Sequence, residues 1–179
     1  MALLILAHSN YGQSLANKSI VEELKNNVKD LEIRNLAELY PDFKIDVKAE
    51  QEALLRHQSV VFQFPVNWYN MPAILKQWFD LVFGYGFAYG SSFQLQGKDF
   101  ITSVTFGSSS EDYQPLGKQH FRPFEFWKNL ENTAYLCQMK WHDVVYSTSA
   151  MAFGDPTREA QIKQQAKEHA QKIAKLINQ

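Results

Sequence analysis

Five short apolar runs, each followed by apolar residues at helical spacing, constrain this chain more than any other feature. Ala2 to Ala7 is wholly apolar and ends in polar residues, the pattern of a strand buried on both faces. Ser14 stands as a helix cap, with Ala16, Ile20, Leu24 and Val28 at four-residue spacing behind it. Leu31 to Ile33 alternates as a second strand, and Asp46 caps a helix through about Arg56. Ser59 to Phe64 is a third strand, stopped by Pro65. Pro72 is expected at the first position of a helix with Ile74, Trp78, Leu81 and Val82 on one side. Phe100 to Thr105 is the fourth strand, a helix is expected over 124–138, and Val144 to Ser147 is the fifth strand. A last helix from about Pro156 lines up Ile162, Ala166, Ala170, Ile173 and Ile177. This alternation predicts an α/β fold, a doubly wound five-stranded parallel sheet with helices on both faces, in one domain over residues 1–179. Ligands of such sheets bind beyond the carboxyl ends of the strands.

Composition narrows the function. Lys and Arg total 18 against 19 Asp and Glu, so the basic excess of a nucleic-acid binder is missing. A chain that is 45% apolar has the means to build a core and is not expected to be disordered. The single Cys137 cannot form an internal disulfide, which points to a reducing cytoplasm. The apolar start is six residues long with no positive charge before it, and no run approaches the ~20 residues of a membrane span. His57, His142 and His169 are not clustered with carboxylates at ligand spacing, so no metal site is expected.

The loops after the first, third and fourth strands should meet at the carboxyl rim. The first, His8 to Asn17, is rich in hydroxyls and amides and runs into a helix start, where free N–H groups and the helix dipole favour a phosphate. It carries neither the Walker pattern nor the glycine-rich dinucleotide turn, and an ordinary capped turn would read the same way. The second, Pro65 to Asn70, offers Trp68 and Tyr69 either to a planar ligand or to the core. The third, Gly107 to Tyr113, is a source of backbone N–H groups or a solvated serine-rich turn.

Between Arg56 and Lys98 only Lys76 and Asp80 are charged, and 11 of the chain's 25 aromatic residues fall there. Those from Phe83 to Phe93 follow a helix in a segment broken by Gly84, Gly86 and Gly90. Left exposed they would form a patch larger than a monomer tolerates, so a second subunit is expected to cover them; a larger core within one chain is the alternative.

Several of these segments are shared with a known group. Ala7-His-Ser9, Ala16-Asn17, Leu39-Tyr-Pro-Asp-Phe43, Ile45-Asp46, Glu50-Gln51, Phe62-Gln-Phe-Pro65, Trp68-Tyr69, Pro72-Ala-Ile-Leu-Lys76, Trp78, Phe87-Ala-Tyr-Gly90 and Gly97-Lys98 resemble the flavodoxin-like NAD(P)H:quinone oxidoreductase family over nearly the whole chain. The Tyr-Pro-Asp-Phe segment is most similar to the short bacterial members, some of which are ancillary flavoproteins of glutathione-gated potassium efflux systems. The resemblance implies a homodimer with one flavin per subunit. It sets His8, Ser14, Leu15, Ala16 and Asn17 around the flavin phosphate. It sets Pro65, Val66, Asn67 and Trp68, with Thr105, Phe106, Gly107 and Ser108, against the isoalloxazine. Tyr113 is expected near the pyrimidine edge, Tyr69 in the substrate slot, and Tyr89 in that slot from the second subunit. Relatives often read Thr-Thr-Gly-Gly where this chain has Thr105-Phe106-Gly107-Ser108. Relatives of the mammalian type also carry a His six residues beyond the Tyr; here Gln119 holds that spacing, and His120, one later, is the catalytic candidate beside Tyr113.

The expected activity is hydride transfer from NADH or NADPH to the flavin and on to a quinone, in ping-pong order. Amides around Phe106 and Gly107 and the Tyr113 hydroxyl are expected to stabilise charge on the reduced ring. FMN is expected over FAD because no C-terminal stretch follows that could wrap an adenine. A regulatory subunit docked on a membrane transporter, peripheral at the inner face of the membrane, is the second reading. An electron-carrier flavodoxin would be strongly acidic, unlike this chain with its net charge of −1.

Overall fold

The protein is described by a computed structural model over residues 1–178. Four long parallel strands, β1 (Ala2–Leu6), β2 (Leu31–Asn35), β3 (Ser59–Pro65) and β4 (Asp99–Thr105), lie in the order β2-β1-β3-β4. The fifth position holds two short pieces, β5 (Lys140–Trp141) and β6 (Val145–Ser147), both parallel to β4. The expected fifth strand, Val144 to Ser147, is β6, and the short β5 ahead of it on the same edge was not expected. Between the two the His142 N–H donates to Phe100 O, and its ring Nε2 lies 3.0 Å from Asp99 Oδ1.

Alternation of side chains across the pleat sorts the core into two layers. Leu3, Ile5, Val60, Phe62, Phe64 and Phe100 face α2 (Leu36–Leu39), α3 (Val47–Arg56), α4 (Ala73–Val82) and α5 (Lys128–Leu136). Ala2, Leu4, Leu6, Val61 and Ile101 face α1 (Leu15–Asn27) and α6 (Pro156–Ile177). The caps follow sequence logic: Ser14 accepts from Asn17 N–H, Asp46 from Ala49 N–H, and Asp155 from Thr157 N–H.

Three details depart from expectation. Pro72 is the cap residue of α4, with an extended ψ of 148°, and the helix begins one residue later. Its buried face is Ile74, Leu75, Trp78, Phe79 and Val82, while Leu81 is exposed. The helix expected over 124–138 is a 3-10 turn (Pro123–Phe126) followed by α5, because Trp127 breaks the register to bury its ring against Phe106, 6.0 Å between centroids.

The aromatic run is mostly absorbed by the chain itself. Phe62 packs on Phe100 at 4.5 Å and on Phe79 at 4.9 Å, and Phe79 meets Phe83 at 5.0 Å. Each such pair adds about 0.5–1.5 kcal/mol beyond its buried area. Phe83 and Phe87 are buried within the one chain, as the alternative of a larger core has it, and Tyr85 is the aromatic residue after α4 left exposed. Beneath this cluster the fully buried Glu50 carboxylate accepts from Arg34 Nε (2.7 Å), Tyr40 OH (2.6 Å) and Trp78 Nε1 (2.8 Å), tying β2 to α3 and α4.

Candidate functional site: a cavity at the carboxyl rim

After β1 the chain crosses to β2 on one side, and after α3 it returns to β3 on the other. The space between the carboxyl ends of β1 and β3 is the topological switch point of the sheet. A cavity of about 630 Å³ opens there. Its wall is built from His8, Asn10, Gln13, Ser14, Leu15 and Asn17 after β1, from Pro65, Val66 and Asn67 after β3, and from Thr105, Phe106 and Gly107 after β4. All of the expected cofactor residues except Ala16, Trp68 and Ser108 thus meet around one space.

The α1 end of the cavity is built for an anion. The first-turn N–H groups of Leu15 and Ala16 have no protein acceptor among the described residues, as helix starts require. Ala16 itself is buried and is not on the wall. His8 Nδ1 accepts from Asn10 N–H at 3.0 Å, which leaves Nε2–H as its donor. Burial holds the His8 pKa below its ordinary value, so the ring is neutral at pH 7. The other end is apolar, with Pro65, Val66, Phe106 and Met151. Gly107 lies so close to the next loop that a Cβ there would stand 3.1 Å from Met151 Sδ. A phosphorylated ligand with a flat apolar part fits this donor set and this shape.

A fourth segment was not expected. Ala150 to Gly154, after β6, and Glu159 of α6 close one side of the cavity. The signal for it was the same rule that selected the other loops, since β6 also ends at the carboxyl rim. A second cavity of about 390 Å³ lies beyond Met151 and Phe153, and Ser108 lines that one instead, with Ser109 and Arg158.

Other expected site residues lie elsewhere. Trp68 and Tyr69 form the tip of a tight turn closed by Asn67 N–H to Asn70 O (2.8 Å) and Asn70 N–H to Asn67 O (3.0 Å). Both have positive φ, 48° and 65°, a conformation that costs about 1–3 kcal/mol per residue away from glycine. Trp68 is 93% exposed and off the cavity wall, and Tyr69 stacks on Phe126 at 5.7 Å. Tyr113 is buried against Phe106, ring centroids 4.6 Å apart, and does not line the cavity. Its hydroxyl pKa is raised, chiefly by burial. His120 is exposed at a φ of 61° and does not reach the wall, because the 108–122 loop curls tightly on itself. Gly117 makes that curl, packed so close to the Asp112 carbonyl that a Cβ would stand 2.4 Å from it. Gln119 is the residue that returns to the rim, its Nε2 3.3 Å from Ser108 Oγ. Tyr89 is half-buried against Tyr85, away from the cavity. The Phe106 N–H, expected as a donor to a ligand, bonds Ser147 O at 2.8 Å. Gly107 N–H has no protein acceptor among the described residues.

Behind the wall runs a buried polar chain. His169 of α6 bridges Ser147 Oγ and Ser103 Oγ, 2.8 Å each; Ser103 reaches Gln63, and Gln63 reaches Asn17. Burial, with a smaller effect from Lys172, pushes the His169 pKa down to about 3.

These features define the class: an α/β protein with a cleft at the switch point of its sheet. The chain belongs to the family described as flavodoxin-like fold, which matches residues 1–173. It is 37% identical to the glutathione-regulated potassium-efflux system ancillary protein KefF of Enterobacter, over 91% of this chain and 92% of that one. It is 39% identical to the uncharacterized NAD(P)H oxidoreductase YrkL of Bacillus subtilis, over 78% of this chain and 80% of that one. The crystal structure of general stress protein 14 from Treponema denticola in complex with FMN superposes with a TM-score of 0.89, at 30% identity and 98% coverage of both chains.

A neutral buried histidine makes stability depend on pH. The unfolded chain's His takes up its proton near pH 6.5, while folded His169 stays neutral down to about 3, so stability is lost as pH falls below about 6.5. Between about pH 6 and 4 this group contributes a slope of about 1.4 kcal/mol per pH unit. His169→Gln should remove that part of the slope in urea midpoints taken from pH 7 to 4.5. Equal slopes in the two proteins would show that His169 titrates as an ordinary histidine.

Proposed function

We propose that the rim cavity binds FMN and that the protein is an FMN-dependent NAD(P)H:quinone oxidoreductase acting as a homodimer. The observation that carries this reading is the division of the cavity, with unpartnered amides, the Ser14 hydroxyl and His8 at one end and an apolar wall at the other. A phosphate joined to a flat ring matches that division. The Glu159 carboxylate on the same wall disfavours a second phosphate, which argues for FMN over FAD. The FMN complex of the Treponema protein and the oxidoreductase name of the Bacillus relative support the reading.

When bound, FMN supplies the redox chemistry, accepting a hydride from NADH or NADPH and passing two electrons to a quinone. The chain's own residues bind, orient and shield. Leu15 and Ala16 amides and Ser14 take the phosphate oxygens. Gly107 N–H is the backbone donor free to stabilise negative charge at the ring edge. Met151 and Phe153 exclude water from one side. Donor and acceptor would alternate in one slot beside the cavity, in ping-pong order, with Tyr69, off the cavity wall and held on Phe126, at its outer edge.

A second copy of the chain supplies the remainder. Trp68, Tyr69 and Tyr85 are exposed aromatic residues, and a partner covering them would bring its own Tyr89 to the slot. The KefF relative supports a second reading, a regulatory flavoprotein that docks on a potassium-efflux transporter at the inner face of the membrane. Co-purification with such a transporter, in a protein that no quinone reoxidises, would favour that reading.

Two measurements test the proposal. The purified protein should carry visible flavin bands that NADH or NADPH bleaches without oxygen and a quinone restores, with parallel lines in double-reciprocal plots. A protein that stays colourless after FMN is supplied, or that neither nucleotide bleaches, contradicts it. Light scattering of the FMN-loaded protein should give twice 20.7 kDa, whereas a particle of 20.7 kDa removes the partner's contribution.

A further inference from the structure

Gln63 is a polar residue in the middle of β3, completely buried, and no part of the proposed reaction uses it. Its neighbours in the polar chain are as deeply buried: Asn17 is 1% exposed, Ser103 1%, Thr105 3% and His169 2%. Groups so far from water need partners, and the partners available fix the direction of every hydrogen bond.

The direction follows from two backbone groups. Asn17 O can only accept, and Gln63 Nε2 lies 3.4 Å from it and 3.1 Å from Asn17 Oδ1. Gln63 therefore presents its NH₂ to Asn17 and its carbonyl oxygen to Ser103, whose hydroxyl donates to it at 3.2 Å. With its proton committed, Ser103 Oγ accepts from His169 Nε2–H, and His169 Nδ1 accepts from the Ser147 hydroxyl. At the other end Asn17 accepts through Oδ1, so its Nδ2 donates, to Ser14 Oγ at 3.1 Å and to Thr105 Oγ1 at 3.0 Å. Asn17 N–H, which can only donate, also reaches Ser14 Oγ at 3.3 Å. Both hydroxyl oxygens thus accept from the protein, and their protons must go elsewhere. Both residues line the cavity.

We propose that Gln63 is a positioning residue: by fixing the Asn17 amide it makes the Ser14 and Thr105 hydroxyls donors toward a phosphorylated ligand in the cavity. His169 and Ser103 hold Gln63 in the orientation that does this. The inference rests on the reading of the cavity as an FMN site. The cavity has no lysine or arginine on its wall among the described residues, so the orientation of neutral donors decides how well it takes an anion.

The test compares binding of FMN and of riboflavin, which lacks the phosphate, to protein stripped of flavin, with flavin fluorescence as readout. Gln63→Met keeps the side-chain length without either polar group. It should weaken FMN binding about tenfold, the scale of one hydrogen bond to a charged group, and riboflavin binding much less. Ser14→Ala should cost less in the Gln63→Met background than it does alone, since the two changes share the Ser14 hydroxyl. If Gln63→Met does not fold, Ser103→Ala gives the same pattern at about threefold. An unchanged FMN-to-riboflavin ratio, or additive effects of Gln63→Met and Ser14→Ala, overturns the proposal. Failure of the unaltered protein to bind FMN refutes the cofactor reading instead.

Discussion

Parallel strands place all of their carboxyl ends on one rim, and the reversal of direction between β1 and β3 leaves a gap there that no crossover helix covers. Everything of functional interest hangs on that gap. The start of α1 points its unpartnered amides into it because Ser14 caps the helix at that point. Pro65, Val66 and Thr105 to Gly107 reach it because β3 and β4 run side by side to the same edge, Pro65 opposite Thr105. A ligand bound there touches the ends of three strands at once, so the rigidity of the sheet becomes the rigidity of the site.

Two local features run against the ordinary preferences of folding, one at this rim and one behind it. Trp68 and Tyr69 occupy left-handed positions that favour glycine or asparagine, and the Asn67–Asn70 hydrogen bonds hold them there. A chain of five buried polar side chains runs through the sheet where apolar residues would pack as well. Each of its members has a hydrogen-bond partner in the protein, and a version without those partners would be less stable than an apolar core.

Much of this was legible in the residues. The apolar runs located the strands to within a residue or two, and Ser14, Asp46 and Pro156 marked helix starts that the structure repeats. The converging loops of the site followed from topology. What escaped reading depends on tertiary packing. Trp127 divides a helix because Phe106 offers it a burial site. The Ala150–Gly154 wall has no motif and gains its role from the strand before it. Phe83 and Phe87 looked like candidates for a subunit interface, yet turn inward, where Gly86 and Gly90, at φ of 80° and 88°, let the segment after α4 fold back on the core. Tyr113 and His120 were placed by spacing from Gly107, but the curl at Gly117 moves one against Phe106 and the other into solvent. Gln63 did carry a signal, a lone amide inside an apolar strand, whose meaning needed its neighbours.

The account stands or falls on where the ligand lies. Amide chemical shifts of ¹⁵N-labelled, flavin-free protein, followed as FMN is added, locate it residue by residue. The account predicts that the shifted signals gather at His8 to Asn17, Val66 and Asn67, Thr105 to Gly107 and Ala150 to Gly154. Shifts confined to another face of the sheet, or none at saturating FMN, would contradict it.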